Sequence, residues 1–116
     1  MARYTCTFAI PCSQEQITHW LPQILEVCHL TIVHSGEDYI LAKEKPGHIS
    51  FTELVTVEIL VENQSPDLNS GINLNFIVRN EELPLKASNH CRTMSEKISA
   101  AVQSHSEIQT LSYVTG

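Results

Sequence analysis

Two alternating runs in the middle of the chain constrain its fold more than any other feature. Residues 49–62 and 72–79 carry apolar side chains at nearly every second position, and the turn-rich segment 63–71 separates them. Because successive side chains of a strand point to opposite faces, each run has one apolar and one polar face. The two runs predict a hairpin whose apolar face makes the core. The predicted inward residues are Ile49, Phe51, Val55, Val57, Ile59 and Val61 on the first strand, and Ile72, Leu74, Phe76 and Val78 on the second.

The first of these strands is long and contains one acidic residue, Glu53, in phase with the apolar set. At about 3.3 Å per residue, positions 49–62 would span roughly 45 Å, so the strand must twist, bend or bulge. If Glu53 faces an apolar pocket, desolvation raises its pKa and fits it to hold a ligand or to move a proton. The alternative is a bulge near Thr52–Leu54, or a place at the open end of the strand, where Glu53 reaches water.

A strand and a helix precede this hairpin. Arg3–Ile10 alternates in the same way and predicts a half-buried strand. Ser13 and Gln16 then form a capping box ahead of a helix with one apolar stripe. Pro22 falls inside that stripe without shifting its phase, which predicts a kink or two abutting short helices rather than a loop. Trp20, the only tryptophan, is expected at the kink and against the sheet.

A second hairpin is expected between this helix and the central strands. Leu30–His34 and Tyr39–Glu44 predict its two strands, and residues 35–38 are its turn. The phase of the second strand stays open, because two sets of residues fit a core-facing position. These sets are Ile40 with Ala42, and Tyr39 with Leu41.

A second helix completes the order of elements. Pro84 suits its first turn, Ser88 is a competing N-cap, and an apolar stripe of mostly small residues follows. The order is strand, helix, four strands, helix, which predicts an α+β two-layer sandwich. In it, a single antiparallel sheet of about five strands carries both helices on one face. We assign residues 1–105 to this single domain and 106–116 to a C-terminal tail that either frays or adds an extended segment at a sheet edge.

This element order, taken across the whole chain, resembles two known arrangements. One is the TATA-binding-protein-like fold, and the other is the larger helix-grip fold of START-type lipid-binding domains. The chain has two strands fewer than the helix-grip pattern, so the TATA-binding-protein-like arrangement or a reduced helix-grip arrangement is expected. The resemblance is one of element order, and a shared fold carries no function with it.

Composition and charge exclude several classes of function. The chain of 116 residues has a net charge of −6, and its seven Lys and Arg residues are scattered, which argues against nucleic-acid binding and attachment to anionic lipid. No apolar run approaches the ~20 residues that span a bilayer, and no secretion signal is recognised, so we expect a cytoplasmic protein with reduced thiols. The four cysteines and six histidines lack metal-ligand spacing. Since no cofactor or nucleophile motif occurs either, we expect no metal, no cofactor and no enzymatic activity.

The outward face of the central hairpin supplies the first functional hypothesis. Leu54, Leu60 and Ile77 are expected to form an exposed apolar patch there, with Arg79 on its polar rim. Such a patch on an open sheet suits a protein partner or a second copy of the same chain. We therefore predict a small non-enzymatic protein-interaction or assembly module that uses the open sheet face.

The alternative hypothesis is a carrier or sensor of a small apolar ligand. The ligand would occupy a cavity between the first helix and the sheet, with Trp20, Glu53 and His48 as its pocket residues. His34 and His48 both flank turns, and a pair of histidine with Glu53 would suit acid–base work or cation binding. A solid core with no cavity beside Trp20 would rule out the carrier.

Overall fold

The structure is a computed structural model that describes residues 2–11, 13–47, 50–63, 71–82, 89–104 and 112–115. Its elements, in chain order, are β1 (Ala2–Ile10), α1 (Gln14–Val27), β2 (Leu30–Ser35), β3 (Tyr39–Glu44), β4 (Thr56–Asn63), β5 (Ile72–Asn80), α2 (His90–Ser104) and β6 (Ser112–Thr115). The strands form one sheet in the order β2-β3-β4-β5-β1-β6, and every neighbouring pair is antiparallel. The predicted α+β architecture, with its order of strand, helix, four strands and helix, is confirmed. The strand β6, in the segment for which fraying or an extended edge segment was expected, pairs with β1.

One face of the sheet carries the core, as the alternating patterns predict. Along β5, buried and half-buried residues alternate without a break. The rings of Phe8 on β1 and Phe76 on β5 meet edge to face at 5.7 Å between centroids. We call this the inner face. Its buried strand residues are Cys6, Phe8, Ile10, Leu30, Ile40, Ala42, Val57, Ile59, Val61, Ile72, Leu74, Phe76 and Val78.

Both helices lie against the inner face. In α2, the hydroxyls of Ser95 and Ser99 lie 3.2 and 3.3 Å from the sulfur of Cys6 on β1. These small residues let the helix approach the sheet closely, and both serine side chains are buried. The apolar stripe of α1 contributes to the same cluster through Ile17, Trp20, Leu21, Ile24 and Leu25. The two helices and the inner face of the sheet therefore enclose one core.

The structure resolves the phase of the second hairpin. Ile40 and Ala42 are buried on the inner face, while Tyr39 and Leu41 point outward and are half-buried. The register between β2 and β3 shifts between Ile32 and His34, which indicates a β-bulge at this point of the edge strand. After the bulge, His34 is opposite Leu41 and its ring lies 6.1 Å from that of Tyr39.

The predicted long strand over 49–62 is wrong in its first part. β4 begins at Thr56, and residues 51–53 form a turn in which the N–H groups of Glu53 and Leu54 donate to the carbonyl of Ser50 at 3.0 and 3.3 Å. Phe51, expected in the core, is 85% exposed. Ile49 lies outside the described residues.

Side-chain hydrogen bonds give the physical reason for this turn. The Val55 N–H donates to the Glu44 carboxylate at 3.2 Å, and Asn80 Nδ2 donates to the Glu53 carbonyl at 2.9 Å. These side chains satisfy backbone groups that would otherwise need a strand partner, so the chain can leave the sheet before Thr56.

The helix ends follow local capping chemistry. The capping box of Ser13 and Gln16 is present, and α1 runs without interruption from Gln14 to Val27 with Pro22 inside it. The helix α2 begins at His90, where Asn89 Oδ1 accepts the N–H of Arg92 at 3.2 Å. The predicted starting positions Pro84 and Ser88 lie outside the described residues.

Candidate interaction surface

The face of the sheet opposite the helices is its open face. Both helices pack on the inner face, so in the described part of the chain no helix covers the open one. Most of its residues are half-buried, because neighbouring side chains in the sheet shield each other. Its outward residues on the four central strands are Arg3, Thr5, Thr7 and Ala9 of β1, Tyr39, Leu41 and Lys43 of β3, Thr56, Glu58, Leu60 and Glu62 of β4, and Asn73, Asn75, Ile77 and Arg79 of β5.

The centre of the open face is apolar. Leu41 on β3 and Ile77 on β5 are the two cross-strand partners of Glu58, and Leu60 is the next outward residue on β4. We call Leu41, Leu60 and Ile77 the apolar centre. The Glu58 carboxylate between them lies 2.7 Å from Nη2 of Arg79, so its charge is compensated within the sheet. The apolar centre therefore surrounds a neutralised ion pair rather than an isolated charge.

One end of the open face is basic. Lys43 is opposite Thr56, Thr56 is opposite Arg79, and Arg79 is opposite Arg3, so these outward residues form one row across four strands. We call Arg3, Lys43 and Arg79 the basic row. It gathers three of the seven cationic residues of a chain whose net charge is −6. Because the charge of Arg79 is compensated by Glu58, the positive charge of this row comes mainly from Arg3 and Lys43.

The other end of the open face is acidic. Glu62 is the last outward residue described on β4, and it is exposed. The turn between β2 and β3 lies beside it, because the Val61 N–H donates to the Asp38 carbonyl at 2.9 Å. This turn also contains Glu37, whose carbonyl accepts a hydrogen bond from the Gln14 side chain. We call Glu37, Asp38 and Glu62 the acidic end.

Three of the four residues predicted for the interaction surface lie on the open face. Leu60 and Ile77 belong to the apolar centre, and Arg79 belongs to the basic row. Leu54 precedes β4 and is half-buried in the bend, where it lines a surface groove with Phe51. The sequence pattern missed Leu41, because the phase of β3 was ambiguous, and it missed the basic row, because only the strand register brings those residues together.

The structure places two of the three residues predicted for a ligand pocket on different elements, Trp20 on α1 and Glu53 in the turn before β4. Trp20 is 7% exposed and lines a hollow on the surface of α1 whose other residues also belong to that helix. Glu53 is half-buried in the turn at the basic end of the sheet, and His48 lies outside the described residues. His34 is at the opposite end, next to the β2–β3 turn, so the structure does not bring it to Glu53.

A buried polar cluster lies where α2 begins. Glu44 binds His90, whose Nε2 is 2.8 Å from Oε1 of the carboxylate. Asn80 Nδ2 donates to Oε1 of Glu82 at 2.6 Å, and that oxygen also accepts the N–H of Cys91 at 3.0 Å. A carboxylate that accepts backbone N–H groups at a helix N-terminus is favourably placed with respect to the helix dipole. The cluster therefore joins β3, β5 and α2.

The thiol at this helix start is not activated. Burial, followed by the nearby charge of Glu82, raises the pKa of the Cys91 thiol to about 11. Its sulfur lies 3.3 Å from the Val78 carbonyl on β5. A helix N-terminus by itself favours the thiolate, but here desolvation and a like charge outweigh the dipole. A thiol in this state is a poor nucleophile.

Among the described residues, no group of three or more His, Cys, Asp or Glu side chains is arranged to hold a metal ion. None of the helices described is both long enough and apolar enough to cross a membrane. No protein-family model, curated protein or solved structure matches this chain.

Proposed function

We propose that this protein is a non-enzymatic, cytoplasmic protein-interaction or assembly module that binds its partner through the open face. The observation that carries the proposal is the position of Leu41, Leu60 and Ile77 together at the centre of a sheet face that no described helix covers. Apolar side chains ringed by polar and charged groups are the usual composition of a protein-binding surface.

The polar cluster supports this assignment over an enzymatic one. Glu44 and Glu82 accept hydrogen bonds from groups that hold the fold together, namely His90 and the N–H groups of Val55 and Cys91. A catalytic acid or base needs to reach a reacting atom, whereas these two carboxylates are buried and already accept hydrogen bonds within the fold. Their arrangement favours a structural role.

The size of the apolar centre limits the expected affinity. Full burial of an aliphatic side chain contributes about 1.5–3 kcal/mol. Each residue of the apolar centre contributes less than this on binding, because it is already half-buried. Association itself costs about 4–15 kcal/mol in lost freedom of motion. The apolar centre alone therefore gives at most weak binding, and a stable complex must also pair the charged ends of the face.

Site-specific photocrosslinking in cells tests the proposal. Leu60 on the open face is replaced by a photoreactive phenylalanine, and the same residue replaces Ala100, which is exposed on α2, as the matched control. We expect one adduct of defined mass from position 60 and none from position 100. The adduct should disappear when Ile77→Lys is added, provided that circular dichroism shows the variant folded. The absence of an adduct, or identical adducts from both positions, would overturn the proposal.

A further inference from the structure

We infer that the partner of the open face is a second copy of this chain, docked face to face so that Lys43, at one end of the basic row, lies over the acidic end of the other copy. This inference rests on the proposed function and names its partner. Three properties of the described residues support it: the separation of charge along the strands, the central position of the apolar patch, and the dimensions of the sheet.

The separation of charge selects the orientation. On β4, the basic row crosses at Thr56 and the acidic end begins at Glu62, a distance of about 20 Å along the strand. A twofold axis parallel to the strands would place the basic row over itself and the acidic end over itself. A twofold axis that runs across the strands keeps each strand over its own copy, so it places Lys43 of β3 over the acidic end of the other copy, and symmetry makes this contact twice. Electrostatics therefore favours the second arrangement over the first.

The same axis places the apolar centres in contact. The midpoint between Thr56 and Glu62 is Ile59, so the axis passes between the outward residues Glu58 and Leu60. Leu60 of one copy then projects toward the partner's Glu58, which has Leu41 on one side and Ile77 on the other. Because Glu58 is already paired with Arg79, its burial does not leave an uncompensated charge.

The four central strands offer an interface of modest size. At about 4.8 Å spacing and a usable length of about 20 Å, they give a projected area on the order of 400 Å². Side-chain relief increases the accessible area, but it stays below the ~800 Å² per partner of a standard interface, so we expect a weak dimer. Two such sheets would pack about 10 Å apart with their strands rotated by about 30°.

The charge pattern also argues against a polyanion as the occupant. A nucleic-acid backbone or an anionic lipid surface that covered the basic row would also meet the acidic end, about 20 Å away. A second copy of the chain supplies both signs of charge at that separation, and a uniform polyanion does not.

Charge reversal tests the inference in the full chain. We expect Lys43→Glu and Glu62→Lys, made singly, each to weaken dimerisation at least tenfold, because each places like charges in contact at both ends of the interface. The double variant Lys43→Glu with Glu62→Lys should restore the wild-type affinity. Sedimentation velocity over a wide concentration range, at low and high salt, measures the dissociation constants, and thermal melts confirm that all variants are folded.

The outcomes separate this inference from the proposed function. If the chain dimerises and Leu60→Lys disrupts the dimer but the single charge reversals do not, the open face is the interface and the inferred orientation is wrong. If the chain is monomeric and position 60 crosslinks to a protein of another mass, the interaction role stands and the second copy is excluded. A monomer that forms no crosslink overturns both.

Discussion

Glu44, the last residue of β3, binds His90, the first residue of α2, with the histidine Nε2 2.8 Å from Oε1 and 2.9 Å from Oε2 of the carboxylate. Glu44 is 9% exposed, and its Oε1 also accepts the N–H of Val55. One carboxylate thus fixes the start of α2, the end of β3 and the bend that leads into β4. The Glu44–His90 pair therefore links the sheet to α2 at the end of the sheet that carries the basic row.

The replacement His90→Ala should lower the free energy of unfolding by about 1–3 kcal/mol, because it removes a hydrogen-bond partner from a buried carboxylate. Urea denaturation measures the loss. His19→Ala, at an exposed position of α1, is the matched control and should be nearly neutral. The cost of His90→Ala should shrink when Glu44→Gln is already present, since the two residues act as a pair. Equal costs for the variants at positions 90 and 19 would show that the pair contributes nothing.

Gly71 is required where the chain enters β5. Its φ is +82°, and a Cβ atom at this position would clash with the carbonyl oxygen of Ile10. Gly71→Ala should therefore cost roughly 2 kcal/mol or more, since neither the backbone angle nor the space accommodates a side chain. Gly47→Ala is the control, because a Cβ there meets nothing within 4 Å. Comparison of the two denaturation midpoints checks the prediction, and a similar small change in both would contradict it.

The sequence predicted the fold well where hydrophobic periodicity and local capping decide the structure. The alternation over residues 56–62 and 72–79 has a period of two, and it identified the inner face of β4 and β5 correctly. The capping box identified the start of α1 from two residues, Ser13 and Gln16, that are only three positions apart. Both signals are local, so no knowledge of the tertiary structure was needed.

Periodicity failed where distant side chains replace strand partners. The alternating pattern continues back to residue 49, but the side chains of Glu44 and Asn80 bind the backbone of Val55 and Glu53 and end the strand at Thr56. The basic row was missed for a related reason, because Arg3 and Arg79 become neighbours only through the register of β1 and β5. A pattern in one segment carries no information on which residue of another segment will be opposite.

The buried thiols make the stability of the protein sensitive to alkaline pH. In the folded chain the pKa of Cys91 is raised from its ordinary 9.0 to about 11. The stabilisation that belongs to the neutral thiol is complete below pH 9 and is lost as the pH rises toward 11, at roughly 1 kcal/mol per pH unit. Urea denaturation at several pH values measures this slope.

The variant Cys91→Ala isolates the contribution of this thiol. Its stability should fall less steeply between pH 9 and 11 than that of the wild type. A residual slope is expected, because burial also raises the pKa of Cys28. Identical slopes in the two proteins would show that Cys91 ionises as easily in the folded chain as in the unfolded one.

His29 holds a left-handed backbone conformation that glycine adopts more readily. It follows Cys28, the C-cap of α1, and has a φ of 59°. Its N–H donates to the Glu26 carbonyl, and its own carbonyl accepts the N–H of Lys45. The side chain is exposed, so its removal loses no core contact. His29→Gly should raise the free energy of unfolding by about 1 kcal/mol, because the backbone strain disappears while both backbone hydrogen bonds remain. His29→Val should lower it, since a β-branched residue fits this conformation worst. Thermal melts rank the three proteins, and a valine variant as stable as the glycine variant would show that the backbone at this position relaxes without cost.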